Sequence, residues 1–279
     1  MTRFAATLID VGWGDSILLE AEKGGDTHYA LIDCNDSTYQ RSALLFVKRH
    51  FERRNQNFEN IQHNFDFVLL THGHADHAKG LKRMMNTFGT GAFWYPKSVE
   101  EGLVPKLLNF ARRSSRVDSH QAINRDNDLG TFGGVTLQAL WPPHRDPDPH
   151  NENLNSIVLA ATLDNVCFVF TGDAEASLWD QITPRVPAST RVFQVPHHGA
   201  RNGLFDGNQT PWLDHLEGLG HQVKLCMSSH IRPHHHPDAT VVAHLDNRNA
   251  TYFRTDEHYH VTVVTRGDPA DVQAKYSHV

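Results

Sequence analysis

The chain is poor in cysteine, in net charge and in long apolar runs. Its three cysteines, Cys34, Cys167 and Cys226, are an odd, widely spaced set without a C-x-x-C pair. That excludes a disulfide framework and a zinc ribbon and leaves each as a small buried hydrophobe. A formal charge of -6, from 26 basic and 32 acidic residues, excludes a protein that coats nucleic acid by bulk positive charge, while leaving room for a local basic groove. The longest apolar stretches, such as 166–170, fall far short of the roughly 18–20 residues of a membrane span, and the N-terminus reaches Asp10 and Asp15 without the apolar core of a signal peptide. A cytoplasmic chain with no membrane association is expected.

What the chain does have is an ordinary globular balance, 39% hydrophobic and 21% charged over 279 residues, enough to bury a sizeable core. There is no repeat at solenoid periods and no low-complexity tail, and the Pro- and Asp-rich stretch 142–149 is too short for a linker, so a single domain over 1–279 is expected. Short segments rich in β-branched residues predict strands at 4–11, 16–20, 29–33, 65–70, 135–140, 157–163, 166–171, 192–195, 223–227 and 259–264. Helical periodicity falls at 40–53, 76–88, 104–113, 176–182, 211–219 and 238–246. Strands dominate with helices between pairs of them, which predicts a layered α/β arrangement of two β-sheets with helices on their outer faces.

Histidine is the abundant residue, 21 of 279. Directly after the strand at 65–70 stands Thr71-His72-Gly73-His74-Ala75-Asp76-His77, an H-x-H-x-D-H pattern leading into a helix. Such a pattern has only about 0.01 expected occurrences in a chain of this composition. His72 and His74 leave the strand end one residue apart and can point to one side, while Asp76 and His77 enter the first helical turn and address a second point nearby. That geometry suits two metal ions, against the alternative of a histidine-rich surface loop that collects metal adventitiously. Three further strand ends carry ligand types: Asp33 after Leu31-Ile32, Asp173 in Val169-Phe170-Thr171-Gly172-Asp173-Ala174, and the pair His197 and His198 in Gln194-Val195-Pro196-His197-His198-Gly199. Arg232-Pro233-His234-His235-His236-Pro237 adds three more histidines inside the chain.

The H-x-H-x-D-H unit, the T-G-D-A at 171–174 and the H-H-G at 197–199 resemble the metallo-β-lactamase superfamily. Within it, the opening Asp10-Val11-Gly12-Trp13-Gly14-Asp15-Ser16 is similar to the D-V-G-Q-G-D-[AS] turn in the hydrolase domain of ComEC-type DNA-uptake proteins, with Trp13 in place of the usual Gln. Asn155-Ser156-Ile157-Val158-Leu159, His236-Pro237 and the stretch 252–255 resemble later elements of the same group, so the likeness runs over nearly the whole chain. The membrane channel of that group is not in this sequence, and a soluble relative is expected. The resemblance implies an αβ/βα sandwich, two mixed β-sheets flanked by helices, with two divalent metal ions, Zn2+ or Mn2+, at one edge. Carried over, His72 and His74 bind the first ion, Asp76 and His77 the second, and Asp173 bridges. His197, ahead of His198, completes the second site, and Asp33 orients the histidine loop. Many members have a further histidine before the bridging aspartate, where this chain reads His150-Asn151-Glu152-Asn153. The ComEC-like group also lacks it, and Glu152, Asn153, His150 or water would take its place.

The expected activity is hydrolysis of a phosphodiester, with a nucleic acid or nucleotide as substrate, by a hydroxide bridging the metals. Asp76 and His236 are the expected catalytic residues, His236 contacting phosphoryl oxygens or protonating the leaving oxygen unless it merely caps the following helix. Basic stretches at 48–54, 79–83 and 112–116 and the aromatics Phe93, Trp94 and Tyr95 are candidate polymer contacts, with a solvated helix face the simpler reading of each basic stretch and a core role that of Trp94. Two other readings compete, an ester, thioester or lactam hydrolase on the same site and a low-turnover, metal-stabilised binding component of a multi-protein system whose partners the sequence does not identify.

Overall fold

A computed structural model describes residues 2–37, 39, 41–55, 58, 61–97 and 102–277. Strands β1 (Arg3–Leu8), β2 (Ile17–Lys23), β3 (Asp26–Ile32), β4 (Phe65–Leu69), β5 (Thr90–Pro96) and β6 (Val117–Ile123) belong to one sheet. A second sheet holds β7 (Asp128–Phe132), β8 (Val135–Trp141), β9 (Val158–Leu163), β10 (Val166–Phe170), β11 (Thr190–Gln194), β12 (Lys224–Met227) and β13 (Thr251–Arg254), before β14 (His260–Thr265) and β15 (Gln273–Ser277) return to the first. The spatial orders are β15-β14-β1-β2-β3-β4-β5-β6 and β13-β12-β11-β10-β9-β8-β7. Each sheet is mixed. In the first, β3 to β6 run parallel and the rest antiparallel; in the second, β10 to β13 are the parallel set.

Side-chain parity builds the layers. In β10, Val166, Phe168 and Phe170 enter the core between the sheets while Cys167 and Val169 face the helices outside; in β4, Phe67 and Leu69 point inward and Val68 outward. Strands buried on both faces read as continuous apolar runs, which is why β10 stands out in the sequence, while in β4 the exposed Asp66 interrupts the run. Helices α1 (Ser42–Arg53), α2 (Ala75–Ala78), α3 (Leu81–Phe88) and α4 (Leu103–Ala111) close the outer core of the first sheet. Helices α5 (Trp179–Ile182), α6 (Arg201–Leu204), α7 (Pro211–Gly218) and α8 (Ala239–Asn247) close that of the second. The arrangement is the expected αβ/βα sandwich.

The structure departs from the sequence reading in a few places. The helix expected over 76–88 is two, because the Gly80 amide donates to the Cys34 carbonyl at 2.8 Å and the Asp76 carbonyl accepts from the Asp15 amide at 3.2 Å, which takes both out of the helical ladder. The helix expected from residue 40 begins at Ser42, where the Asp36 carboxylate accepts the amides of Ala43 and Leu44 at 3.0 and 2.9 Å; Gln40 lies outside the described residues. The aromatics at 93–95 belong to β5 and are packing residues rather than a platform for bases. Phe93 is fully buried, Trp94 stacks on Phe67 at 4.3 Å, and Tyr95 packs against the outer core.

Beyond β10, the turn Thr171-Gly172-Asp173 aims Asp173 at the first sheet. Gly172 has φ +50, and a Cβ on it would come 2.8 Å from the Cβ of Thr71. A Gly172→Ala variant should therefore lose about 2 kcal/mol of stability through backbone strain and overpacking, read as a Tm drop of roughly 5 °C. An unchanged Tm would show slack between the sheets at this point.

Candidate metal centre

The ligand-type residues gather where parallel strands of the two sheets end: Asp33 after β3, His72 to His77 after β4, Asp173 after β10, and His197 and His198 after β11. Crevices beyond the carboxyl ends of parallel strands are the usual place for a site in open α/β sheets. Four buried side chains converge there, Asp76, His77, Asp173 and His198. The Nε2 of His77 stands 3.2 Å from Nε2 of His198, 3.6 Å from Oδ2 of Asp76 and 3.3 Å from Oδ1 of Asp173. The Nε2 of His198 is 3.4 and 3.5 Å from the same two oxygens. A tetrahedral cation with bonds of about 2.0–2.1 Å has ligand-to-ligand edges of about 3.3–3.4 Å, so the quartet fits such an ion. A second group, His72, His74 and Asp173, lies beside it, with His72 Nε2 3.6 Å from Oδ2 of Asp173. Asp173 thus offers one oxygen to each group.

Partners behind the rings fix which nitrogen faces inward. His77 Nδ1 donates to Oδ2 of Asp33 at 2.7 Å, and His198 Nδ1 donates to the carbonyl of Ser228 at 3.0 Å, so each Nε2 turns its lone pair to the centre. The Thr71 hydroxyl donates to Asp33 at 2.6 Å and can accept from His72 Nδ1 at 3.1 Å. The backbone is bent to serve this arrangement: Asp33, His197 and His198 all have φ between 52° and 54°, a region costly for residues with a Cβ and tolerated where a site requires it.

The electrostatics call for a cation. Burial alone would depress His77 and His198, but Asp173 with Asp33 and Asp76 holds His77 well above its usual pKa, and Asp173 with Asp15 lifts His198 to about 9. Burial would raise Asp173 and Asp76, yet the surrounding imidazoles hold both below the carboxylate range. A divalent ion would compensate the same carboxylates while leaving both imidazoles neutral, so its binding would release protons. Elsewhere in the cluster the Nε2 of His72 and Oδ1 of Asp173 are buried without a hydrogen-bond partner among the described residues, as ligand atoms awaiting an ion would be.

The expectation placed His197 ahead of His198 in the second group, and the geometry reverses that order. His198 stands among Asp76, His77 and Asp173, whereas His197 Nε2 faces Oδ2 of Asp173 at 3.6 Å, on the His72 side. Asp33 sits behind His77, accepting from its Nδ1 at 2.7 Å. His150 is exposed and its amide donates to Asp148, away from the cluster. Glu152 lies against Gly73, where an added methyl would come 3.5 Å from its carboxylate, and Asn153 donates Nδ2 to Glu175 at 3.0 Å. His236 does not cap α8; Asp238 does, accepting from the Thr240 amide at 2.7 Å. Instead His236 lines an open pocket over the cluster with Trp13, His74, Asp76, Asp173 and His234. Of the basic stretches, Arg54 pairs with Glu20 and Glu22, Arg83 donates to the Ser37 carbonyl, and Arg116 to those of Ile61 and Thr87, so these cations are taken up by the fold.

The sequence reading missed Asp15 as a site residue. Fully buried, it accepts from Gln194 Nε2 at 2.8 Å and stands 3.8 Å from both His77 Nδ1 and His198 Nδ1. Its signal was the tight Gly12-Trp13-Gly14-Asp15 turn, in which Gly14 lets the chain pass against Asp76.

A histidine whose pKa is raised on folding stabilises fully below its unfolded value and ceases to do so as pH rises through the folded one. In chelator, the share of stability that His198 carries should therefore fall between pH about 6.5 and about 9. Saturating divalent metal should abolish that fall, as chemical denaturation at each pH would show. An Asp33→Asn variant should keep the fold and lose about 10- to 100-fold in metal affinity by titration calorimetry.

Comparison with known proteins agrees with this geometry. A family model described as the metallo-beta-lactamase superfamily matches residues 5–206. ComE operon protein 3 of Bacillus subtilis (strain 168) is 23% identical over 263 residues, which take in 90% of this chain and 31% of the relative, so the chain spans under a third of that protein's length. The metallo-β-lactamase fold protein YhfI from Bacillus subtilis shares 14% identity at a TM-score of 0.60, over 94% of this chain and 100% of its own. Igni18, a metallo hydrolase from the archaeon Ignicoccus hospitalis, does so at 14% and 0.54, over 92% and 98%. Likenesses at such identity speak for the fold. With the family model covering most of the sequence and the histidines and aspartates of its H-x-H-x-D-H loop gathered at the strand ends, the chain belongs to the metallo-β-lactamase superfamily.

Proposed function

We propose that the protein hydrolyses phosphodiester bonds of a nucleic acid or nucleotide with two divalent cations, zinc or manganese. The observation that carries the reading is the paired ligand set: Asp76, His77, His198 and Oδ1 of Asp173 would hold one ion, and His72, His74 and Oδ2 of Asp173 the other. When bound, such a pair supplies a nucleophile from water at neutral pH and neutralises charge on a phosphoryl group. The likeness to the hydrolase domain of ComEC-type proteins supports a phosphodiester over an acyl substrate.

The chain's own residues then bind and orient. The pocket above the cluster encloses about 660 Å³ together with the solvent at its mouth, open enough for a strand or nucleotide to lay a phosphate on the floor. His236 stands on its wall. Burial, helped by the charges of His198, His197 and His234, pushes its pKa down to about 4, so at neutral pH it is an uncharged hydrogen-bond donor. That favours contact with a phosphoryl oxygen over delivery of a proton to the leaving group.

Purified without chelator, the protein should carry about two metal ions per chain by elemental mass spectrometry and cleave bis(4-nitrophenyl) phosphate and a labelled DNA strand under zinc or manganese. An Asp76→Asn/His77→Ala double variant should keep its circular dichroism and lose at least about 1000-fold in kcat/KM; full activity in that variant would place the chemistry elsewhere. Turnover confined to a chromogenic lactam or a thioester would move the assignment to acyl hydrolysis. A metal-loaded protein inert on all of these would favour a binding role.

A further inference from the structure

Of the five tryptophans, Trp141, Trp179 and Trp212 are fully buried, and each donates its indole N–H to a backbone carbonyl, those of Leu154, Ala174 and Gly203. Trp94 packs against the core between the sheets. Trp13 joins none of the three cores. It is half-buried on the wall of the pocket over the cluster, its ring centroid 4.7 Å from that of His234, which in turn stacks on His236 at 6.0 Å and 30°. Its indole makes no hydrogen bond to the described residues. A large aromatic kept out of the core and lining a pocket offers a flat apolar face to whatever enters it.

The backbone holds this ring in place. Gly14 presses so close to the cluster loop that a Cβ would meet the Asp76 carbonyl at 2.3 Å, the Asp15 amide donates to that same carbonyl at 3.2 Å, and Asn35 Nδ2 donates to the carbonyl of Trp13. The backbone that carries the indole is therefore tied to the segment that carries Asp76, the ring itself rests against His234, and the ordering cost of the turn is met in folding rather than on binding.

We propose that Trp13, with His234, is a stacking platform for the nucleobase beside the scissile phosphate, so that the pocket selects base-bearing substrates over bare phosphodiesters. Every base presents a π-face, which makes such a platform tolerant of sequence, and the wall-and-floor layout separates base binding from phosphate binding. The inference rests on the phosphodiesterase reading for the position of the phosphate.

The test is a ratio of affinities, measured by calorimetry on metal-loaded protein with adenosine 5′-monophosphate and with ribose 5-phosphate, which share the phosphate and differ in the base. In the wild type the nucleotide should bind about tenfold more tightly. Trp13→Ala should bring the ratio to within about twofold of unity, Trp13→Phe should keep most of it, and His234→Ala should lower it by about threefold. A wild-type ratio near one, a ratio untouched by Trp13→Ala, or an equal loss for both ligands would overturn the platform; should the alanine variant not fold, the phenylalanine and His234 variants decide. Both ligands are monoesters, so the ratio is read without turnover. A base preference in a protein that cleaves no phosphodiester would keep the platform and sink the hydrolytic reading, and cleavage without base preference would do the reverse.

Discussion

Asp33, enclosed at the carboxyl end of β3, is the group on which the site depends. Its carboxylate accepts the Thr71 amide at 2.7 Å, the Thr71 hydroxyl at 2.6 Å and His77 Nδ1 at 2.7 Å. Burial pushes its pKa up and His77 pulls against that. A carboxylate so placed is tolerable only while its oxygens are satisfied, so the turn after β4 must close in the one conformation that brings all three donors to it. Thr71 then carries that order onward. Its hydroxyl meets His72, its carbonyl accepts the Ile157 amide at 2.9 Å, and its side chain fills the space beside Gly172. One buried acceptor in the first sheet thereby sets the register at which the second sheet delivers Asp173.

The two halves of the cluster are joined a second time through Gln194 at the end of β11. Its Oε1 accepts the Thr171 amide at 2.9 Å and its Nε2 donates to Asp15 at 2.8 Å. Asp15 in turn faces the outer nitrogens of both His77 and His198. Carboxylates thus stand on both sides of these imidazoles, Asp33 and Asp15 behind and Asp76 and Asp173 in front. The rings behind are held by directional hydrogen bonds, and the excess negative charge in front is what a cation would compensate.

How much of this was legible follows from where side chains are buried on two faces. Ten strands were read from the sequence, and four of the five missed, β6, β7, β13 and β15, are the edges of the two sheets. An edge strand has one neighbour and one covered face, so Val117–Ile123 and Gln273–Ser277 carry polar residues and show no apolar run. The fifth, β5, is interior, and its aromatics drew attention away from its strand character. His72, His74, Asp76, His77 and Asp173 were readable because each follows a strand buried on both faces. The choice between His197 and His198 was not, since it depends on two successive left-handed residues that no pattern in the sequence announces. Asp15 was hidden for a related reason: it reaches the cluster through close backbone passage at Gly14, not through a strand end.

The two ligand groups are unequal, and the inequality follows from burial. Asp76, His77, Asp173 and His198 are all buried, and two of the imidazoles are anchored from behind. In the other group His74 is exposed, His72 is braced by a hydroxyl rather than a carboxylate, and a third imidazole, His197, approaches only Oδ2 of Asp173. Where superfamily relatives have another histidine, this chain has Glu152 against Gly73 and Asn153 tied to Glu175. With fewer buried ligands and weaker support behind them, the His72 group would hold an ion less tightly than the His77 group, because both ligand count and the bonds that orient ligands set affinity. The same exposure leaves that side open to the pocket, which His74 lines together with Asp173 and His197.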